Sequence, residues 1–196
     1  MMPSVLYRAL DVRELLPSEE ELSARLRVPI GFRDKRAEAL KRELLASVSP
    51  AMCAVRVAVT RADEGALYLG DIRTESEALK KSLRGCEQAF LFAVTLGLSC
   101  ERWLHRISLL SPAEHFLADA LASAYAEAAA ELASDILAEG CVLTPRFSPG
   151  YADLPLSLQK DMIRITEANK YLHIELQESF LMVPQKSITA IAGIRR

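Results

Sequence analysis

The chain has 196 residues, with 24 Lys and Arg against 26 Asp and Glu and a formal net charge of −2. This length suits one domain with a substantial core. The near-balanced charge gives no general attraction to nucleic acid or to an anionic membrane, so neither is expected as a partner.

The cysteines and histidines predict no metal site. None of the four cysteines is close-paired, so zinc-ribbon spacing and a Cys-x-x-Cys redox motif are absent, and the three histidines are scattered. The N-terminus does not have the pattern of a signal peptide, and no apolar run approaches the roughly twenty residues of a membrane span. We therefore expect a soluble cytoplasmic protein.

The sequence pattern of the first fifty residues predicts helices. Ser18 begins one helix, and residues 32–48 have apolar side chains at helical spacing before Pro50 ends the pattern. We expect residues 1–50 to form a helical region that packs on a main domain of residues 51–196.

The sequence of the main domain predicts strands mixed with helices. Residues 52–60 alternate and are rich in valine, and a turn at residues 61–65 leads to a short returning strand at residues 66–69. Residues 89–96 form a nearly continuous apolar run, which is typical of a strand buried on both faces. A helix is expected at residues 156–171, followed by strands at residues 174–183 and 187–194. Since these elements do not repeat as βαβ units, the pattern indicates an α+β fold with an antiparallel sheet and flanking helices.

A long helix at residues 112–139 carries only acidic charges. No Lys or Arg occurs from residue 107 to residue 145, and Glu127, Glu131 and Asp135 are spaced four apart, which brings like charges together. One interpretation is a solvated surface, or basic partners from elsewhere in the fold. The other is that part of this acidic stripe faces a cationic ligand. Glu127 lies at the edge of the apolar stripe and is the acid best placed to be partly buried, where it needs a partner.

The segment after this helix combines a cation, a rigid turn and an aromatic hydroxyl. Arg146 can grip a carboxylate with two parallel hydrogen bonds. The backbone amides of Ser148 and Gly150 can meet polar edges of a ligand, and the Tyr151 ring can cover an apolar part. Ser-Pro-Gly is also a common turn, so a purely structural loop remains an alternative.

The segment 146–151 (RFSPGY) resembles the Arg-x-x-x-Gly-Tyr signature of the activation domain of cobalamin-dependent methionine synthase. The likeness extends over most of the chain beyond about Leu67. Residues 89–97, the helix at residues 119–131 and the segment from Leu176 to Ser187 follow in the family's order and spacing. The whole chain is most similar to short, stand-alone members that lack the substrate-binding and cobalamin-binding domains.

The resemblance implies a ligand and a partner. In that family the domain binds S-adenosylmethionine and presents its sulfonium methyl group to an oxidised, inactive corrinoid, with an electron from a flavodoxin-type donor. It implies that Arg146 holds the methionine carboxylate, that the backbone around Ser148 meets the adenosine, and that Tyr151 lines the same pocket. Glu127 matches a family glutamate near the ligand's positive end. Cobalamin would be carried by a partner protein, either methionine synthase subunits or another corrinoid methyltransferase.

Two further hypotheses remain open. In the first, the chain is a docking module for a cobalamin-binding protein and has itself lost ligand binding. In the second, the chain is a sensor of another amino-acid-like molecule. The first is suggested by the N-terminal region, which has no match for the family aspartate that holds the ligand's amino group. No catalytic residue is expected under any of the three hypotheses, because methyl transfer to a cobalt nucleophile depends mainly on position.

Overall fold

The computed structural model describes residues 4–31, 34–62 and 65–195. The strands within these ranges are β1 Leu6–Ala9, β2 Ala51–Arg61, β3 Leu67–Leu69, β4 Ile72–Thr74, β5 Gln88–Thr95, β6 Val142–Leu143, β7 Glu175–Leu176, β8 Met182–Val183 and β9 Ser187–Arg195. The helices are α1 Glu19–Leu26, α2 Lys35–Ser47, α3 Glu77–Ser82, α4 Leu98–Leu110, α5 Pro112–Leu137, α6 Gln159–Thr166 and α7 Ala168–Tyr171.

One antiparallel sheet organises the molecule. Its strands lie in the order β4-β3-β2-β5-β9-β6, and β1 pairs with β2 beside this path. In the centre, Val55 of β2 lies opposite Leu91 of β5, and Leu91 lies opposite Ile191 of β9. This arrangement confirms the predicted α+β fold with an antiparallel sheet and flanking helices.

The two faces of the sheet are covered by different helices. Along β5, Phe92 and Val94 belong to a core that includes α2, α4 and α5. Leu91 on the other face packs in a cluster with α3 and α6. Because successive side chains of a strand point to opposite faces, an unbroken apolar run is what a doubly covered central strand requires.

Helix α5 packs closely on the sheet because alanine dominates its buried face. Ser111 caps its N-terminus by accepting a hydrogen bond from the Glu114 N–H, and Pro112 occupies the first turn. Ala118, Ala122 and their alanine neighbours along the helix are buried, so its backbone comes near the strands. The acidic residues are therefore confined to the helix edges and its outer surface.

The N-terminal region is not purely helical, contrary to the prediction. Leu6–Ala9 forms β1 and pairs in register with Ala51–Ala54 of β2. All four β1 residues are exposed, so their sequence has no alternation of buried and exposed positions that identifies a strand. The predicted start of the second helix at Phe32 and the hairpin-turn residues Asp63 and Glu64 lie outside the described residues.

Two predicted elements near the C-terminus are interrupted. The expected strand at residues 174–183 is instead a hairpin of β7 and β8, closed by a hydrogen bond from the Phe180 N–H to the Gln177 carbonyl at 2.9 Å. The expected helix at residues 156–171 is split into α6 and α7, because Glu167 adopts a left-handed conformation with φ of 50°. Neither turn contains a glycine or a proline, the residues by which a sequence indicates that a helix or strand is interrupted.

Candidate functional site

Arg146 lies on a segment that is fastened to the edge of β9. Before it, the Thr144 N–H donates to the Gly193 carbonyl at 2.8 Å, and the Gly193 N–H donates to Thr144 Oγ1 at 2.9 Å. After it, Phe147 and Ile191 exchange two backbone hydrogen bonds of 2.9 and 2.8 Å. The backbone at Arg146 is therefore held on both sides, which fixes where its side chain leaves the sheet.

The Arg146 guanidinium reaches across to two acids of α5. Its Nη2 donates to Glu131 Oε2 at 3.0 Å, and its Nη1 lies 3.6 Å from Glu127 Oε2. The Arg146 side chain is 24% exposed, against 40% for Glu127 and 68% for Glu131. Basic partners from elsewhere in the fold, one of the sequence interpretations of the acidic helix, are therefore present at both acids.

Glu127 also contacts a second arginine. Arg25 of α1 donates from Nη2 to Glu127 Oε1 at 3.4 Å, and its Nε donates to Glu21 one helical turn earlier. The two oxygens of Glu127 thus face two different cations. Arg25, Glu127, Arg146 and Glu131 form a row of alternating charges, which we call the charge row.

A cleft of about 630 Å³ opens beside the charge row. It lies between α5, the segment leading to the loop and β9, and its wall combines charged, hydroxyl and apolar side chains. The lining residues are Glu127, Glu131, Ser134, Leu143, Thr144, Pro145, Arg146, Ser148 and Ile188. Its size falls in the range of small-molecule sites, roughly 300–1,000 Å³.

The structure brings three of the five sequence-predicted site residues into this cleft and leaves two outside its wall. Arg146, Ser148 and Glu127 line it, whereas Gly150 and Tyr151 do not. Phe147 packs towards the opposite face of the sheet, and the Tyr151 ring meets it edge-on with centroids 5.6 Å apart. Tyr151 is 69% exposed, so its predicted contact with a ligand requires a molecule that extends beyond the cleft.

The loop that follows Arg146 is held by its own hydrogen bonds and by α3. The Gly150 N–H donates to the Leu154 carbonyl at 2.9 Å, and the Leu154 N–H donates to the Tyr151 carbonyl at 3.0 Å. Asp153 accepts hydrogen bonds from the Ser76 hydroxyl and from the Glu77 N–H at 2.7 Å. These bonds, the Ser76 hydroxyl first, hold the pKa of Asp153 below its ordinary value.

Sequence reasoning missed several residues of the site. Arg25 lies 102 positions before Glu127, and nothing in its local sequence indicates that it reaches α5. Thr144 reaches the cleft through the pairing of β6 with β9, and Ile188 through the pairing of β9 with β5, so neither position is evident from the local sequence. Glu131 could have been identified from the sequence, because it lies one helical turn after Glu127 on the same acidic stripe.

The arrangement suits a zwitterionic ligand. A guanidinium can accept a carboxylate in a two-bonded pair, and exposed ion pairs are worth about 0–1 kcal/mol, so displacing the well-exposed Glu131 from Arg146 costs little. Glu127 and the displaced Glu131 then remain beside the ligand to face its cationic groups. Within the part of the chain that the structure describes, the cleft thus offers one cation for a carboxylate and two anions for positive charge.

The described residues contain no group of three or more side chains placed to hold a metal ion. Within the same ranges, none of the helices has the length and apolarity that crossing a membrane demands.

The comparisons with known proteins agree with the fold. No protein-family model matches the chain, and no curated protein matches it in sequence. Among solved structures, the chain is similar to the MetH reactivation domain bound to AdoHcy, with a TM-score of 0.70 at 16% sequence identity. The similarity covers 97% of this chain and 78% of that one. The chain therefore has the fold of this reactivation domain along nearly its whole length.

Proposed function

We propose that the chain is an S-adenosylmethionine-binding accessory protein that supports reductive remethylation of a corrinoid on a partner. The partner is cobalamin-dependent methionine synthase or a related corrinoid methyltransferase, and a flavodoxin-type protein is the proposed electron donor. The proposal is supported by a fold that covers 97% of this chain and is shared with a reactivation domain solved with AdoHcy.

The observation that carries the proposal is the charge row beside the cleft. S-adenosylmethionine has one carboxylate, one ammonium and one sulfonium. Arg146 is the partner for the carboxylate, and Glu127 with Glu131 supplies negative charge for the two cationic groups. The reactive chemistry of methyl transfer belongs to the two cofactors, so the protein's task is to bind and orient the sulfonium.

An assay in trans tests this function. The chain is added to an inactive corrinoid methyltransferase with a one-electron reductant and S-adenosylmethionine labelled in its methyl group. The proposal predicts labelled methyl on the partner's corrinoid only when the chain is present, and at least tenfold less label with Arg146→Ala. Equal labelling without the chain contradicts it.

A docking module without ligand binding is the second candidate, favoured by exposed apolar side chains outside the cleft. Tyr151 and Leu181 are 69% and 57% exposed, and Leu181 lines a shallow depression together with Leu156. Gly150, the residue before Tyr151, brings its backbone against Leu156 of this depression. Such a surface suits a protein partner.

The two candidates differ in what a substitution in the cleft does. A docking module forms its complex with a cobalamin-binding protein equally well with Arg146→Ala and shows no dependence on S-adenosylmethionine. A reactivation protein loses ligand binding with that substitution. Sedimentation of the complex with and without the ligand separates them.

A further inference from the structure

We propose that Arg25 of the N-terminal helix α1 is a positioning residue of the ligand cleft, which it serves by holding Glu127 away from Arg146. This inference rests on the proposed function, because it concerns how the same cleft receives a carboxylate. It also assigns the N-terminal region a role in binding.

The first step is the geometry at Glu127. Its Oε1 accepts a long hydrogen bond from Arg25 at 3.4 Å, and its Oε2 forms a looser ion pair with Arg146 Nη1 at 3.6 Å. Arg25 is itself held by Glu21 on the same helix. Glu127 is thus divided between two cations and bonded to the one outside the cleft.

The second step is competition for the guanidinium. Glu131 already occupies one edge of Arg146 at 3.0 Å. If Arg25 is removed, Oε1 of Glu127 loses its partner, and a half-exposed carboxylate beside an arginine turns to form a two-bonded pair with it. Arg146 then carries two internal carboxylates, and a ligand carboxylate must displace both.

The third step is the attachment of α1 itself. Ser18 caps the helix by accepting a hydrogen bond from the Glu21 N–H, and Leu22 and Leu26 pack against the core formed with α5. The position of Arg25 is therefore set by helix packing and does not depend on its ion pairs.

The same region supplies a matched control. Arg36, one residue into α2, donates from Nε and Nη2 to Glu114 of α5 at 2.6 and 2.5 Å. Both arginines thus join an N-terminal helix to a glutamate of α5, but Glu114 is not part of the cleft wall. Arg36→Ala removes a tether of the same kind without touching the ligand site.

The experiment measures affinities by calorimetry for S-adenosylmethionine and for 5′-methylthioadenosine, which lacks the amino-acid part. Arg25→Ala is expected to weaken S-adenosylmethionine about fivefold, equivalent to about 1 kcal/mol, with methylthioadenosine unchanged. Arg25→Lys retains most of the affinity, and Arg36→Ala retains all of it. In a Glu127→Gln background, Arg25→Ala has no further effect, because no carboxylate remains to turn onto Arg146.

Several outcomes overturn the inference while leaving the proposed function intact. They are an Arg25→Ala protein with wild-type affinity, equal losses for both ligands, an Arg36→Ala protein as weak as Arg25→Ala, or an undiminished effect of Arg25→Ala in the Glu127→Gln background. A wild-type protein that binds neither ligand defeats the proposed function and this inference together.

Discussion

At the scale of single residues, the site depends on Arg146, which pairs with acids of the protein and is also the proposed partner of the ligand carboxylate. Among the described residues of the cleft wall, Arg146 is the one cation, and it is already shared between Glu127 and Glu131. These contacts keep the guanidinium in place before a ligand arrives, and their exposure keeps them weak enough to be exchanged. The same side chain is therefore pre-organised and available.

Gly150 combines a left-handed backbone conformation with a close neighbour. Its φ is +86°, and an added Cβ lies 3.1 Å from Leu156 Cδ1. Gly140 has a similar φ of +81° with no atom within 4 Å of an added Cβ. We expect Gly140→Ala to cost about 1–2 kcal/mol of the free energy of unfolding for backbone strain alone, and Gly150→Ala to cost more.

Urea denaturation of the two glycine variants checks this expectation. Both proteins carry the same change at exposed positions, so the difference between their unfolding free energies isolates the contact with Leu156. Equal losses in the two variants mean that the loop adjusts around the added methyl group.

At the scale of elements, Asp153 joins the loop to α3. It accepts from the Ser76 hydroxyl and from the backbone N–H groups of Glu77 and Ala78, so a carboxylate of the loop caps a helix of another segment. These bonds favour the charged form and lower the pKa of Asp153 below 3.8.

The stability that Asp153 contributes must therefore depend on pH. Since its folded pKa is below its unfolded one, the contribution is fully present above the unfolded value and is lost as pH falls through the folded value. Asp153→Asn is expected to lower the free energy of unfolding at about pH 7, with the gap to wild type closing below about pH 4. Denaturation at a series of pH values measures the gap, and a gap independent of pH contradicts the assignment.

Sequence patterns identified the elements whose burial is periodic or continuous. β2, β5 and α5 are all largely buried, and each carries the pattern that its environment imposes. β1 was missed because its four residues are all exposed, and the hairpin of β7 and β8 because Phe180 makes its turn with a positive φ and no glycine.

The same distinction applies to the site. Arg146 and Ser148 were visible in sequence because they are local to one turn, and Glu127 because it interrupts an apolar stripe. Arg25 reaches the charge row only through the packing of α1, and Ile188 reaches the cleft only through the pairing of β9. Gly150 and Tyr151, although close to Arg146 in sequence, stay outside the cleft wall, and the Tyr151 ring packs edge-on against Phe147.

At the scale of the whole molecule, the N-terminal region and the sheet share one core. β1 is a strand of the main sheet, and Leu40 and Leu44 of α2 are 0% exposed within the core that contains α5. Loss of a buried leucine side chain costs about 2–5 kcal/mol, and whole domains are stable by only about 5–15 kcal/mol.

We therefore expect the full chain to unfold in one cooperative transition and a fragment of residues 51–196 to show none. A control fragment that begins at residue 5, just before β1, is expected to unfold like the full chain. Thermal denaturation followed by circular dichroism distinguishes these outcomes. A cooperative transition in the fragment of residues 51–196 shows instead that the N-terminal region is a separate unit.

The central claim is that Arg146 holds the carboxylate of S-adenosylmethionine, and calorimetric titration of the ligand tests it most directly. The titration compares the wild type, Arg146→Ala and Arg164→Ala, whose arginine is also paired with two acids, Asp71 and Asp161, but lies outside the cleft. We predict binding that falls at least tenfold in Arg146→Ala, equivalent to about 1.4 kcal/mol, and stays unchanged in Arg164→Ala. Wild-type affinity in Arg146→Ala, or no binding by the wild type, contradicts the claim.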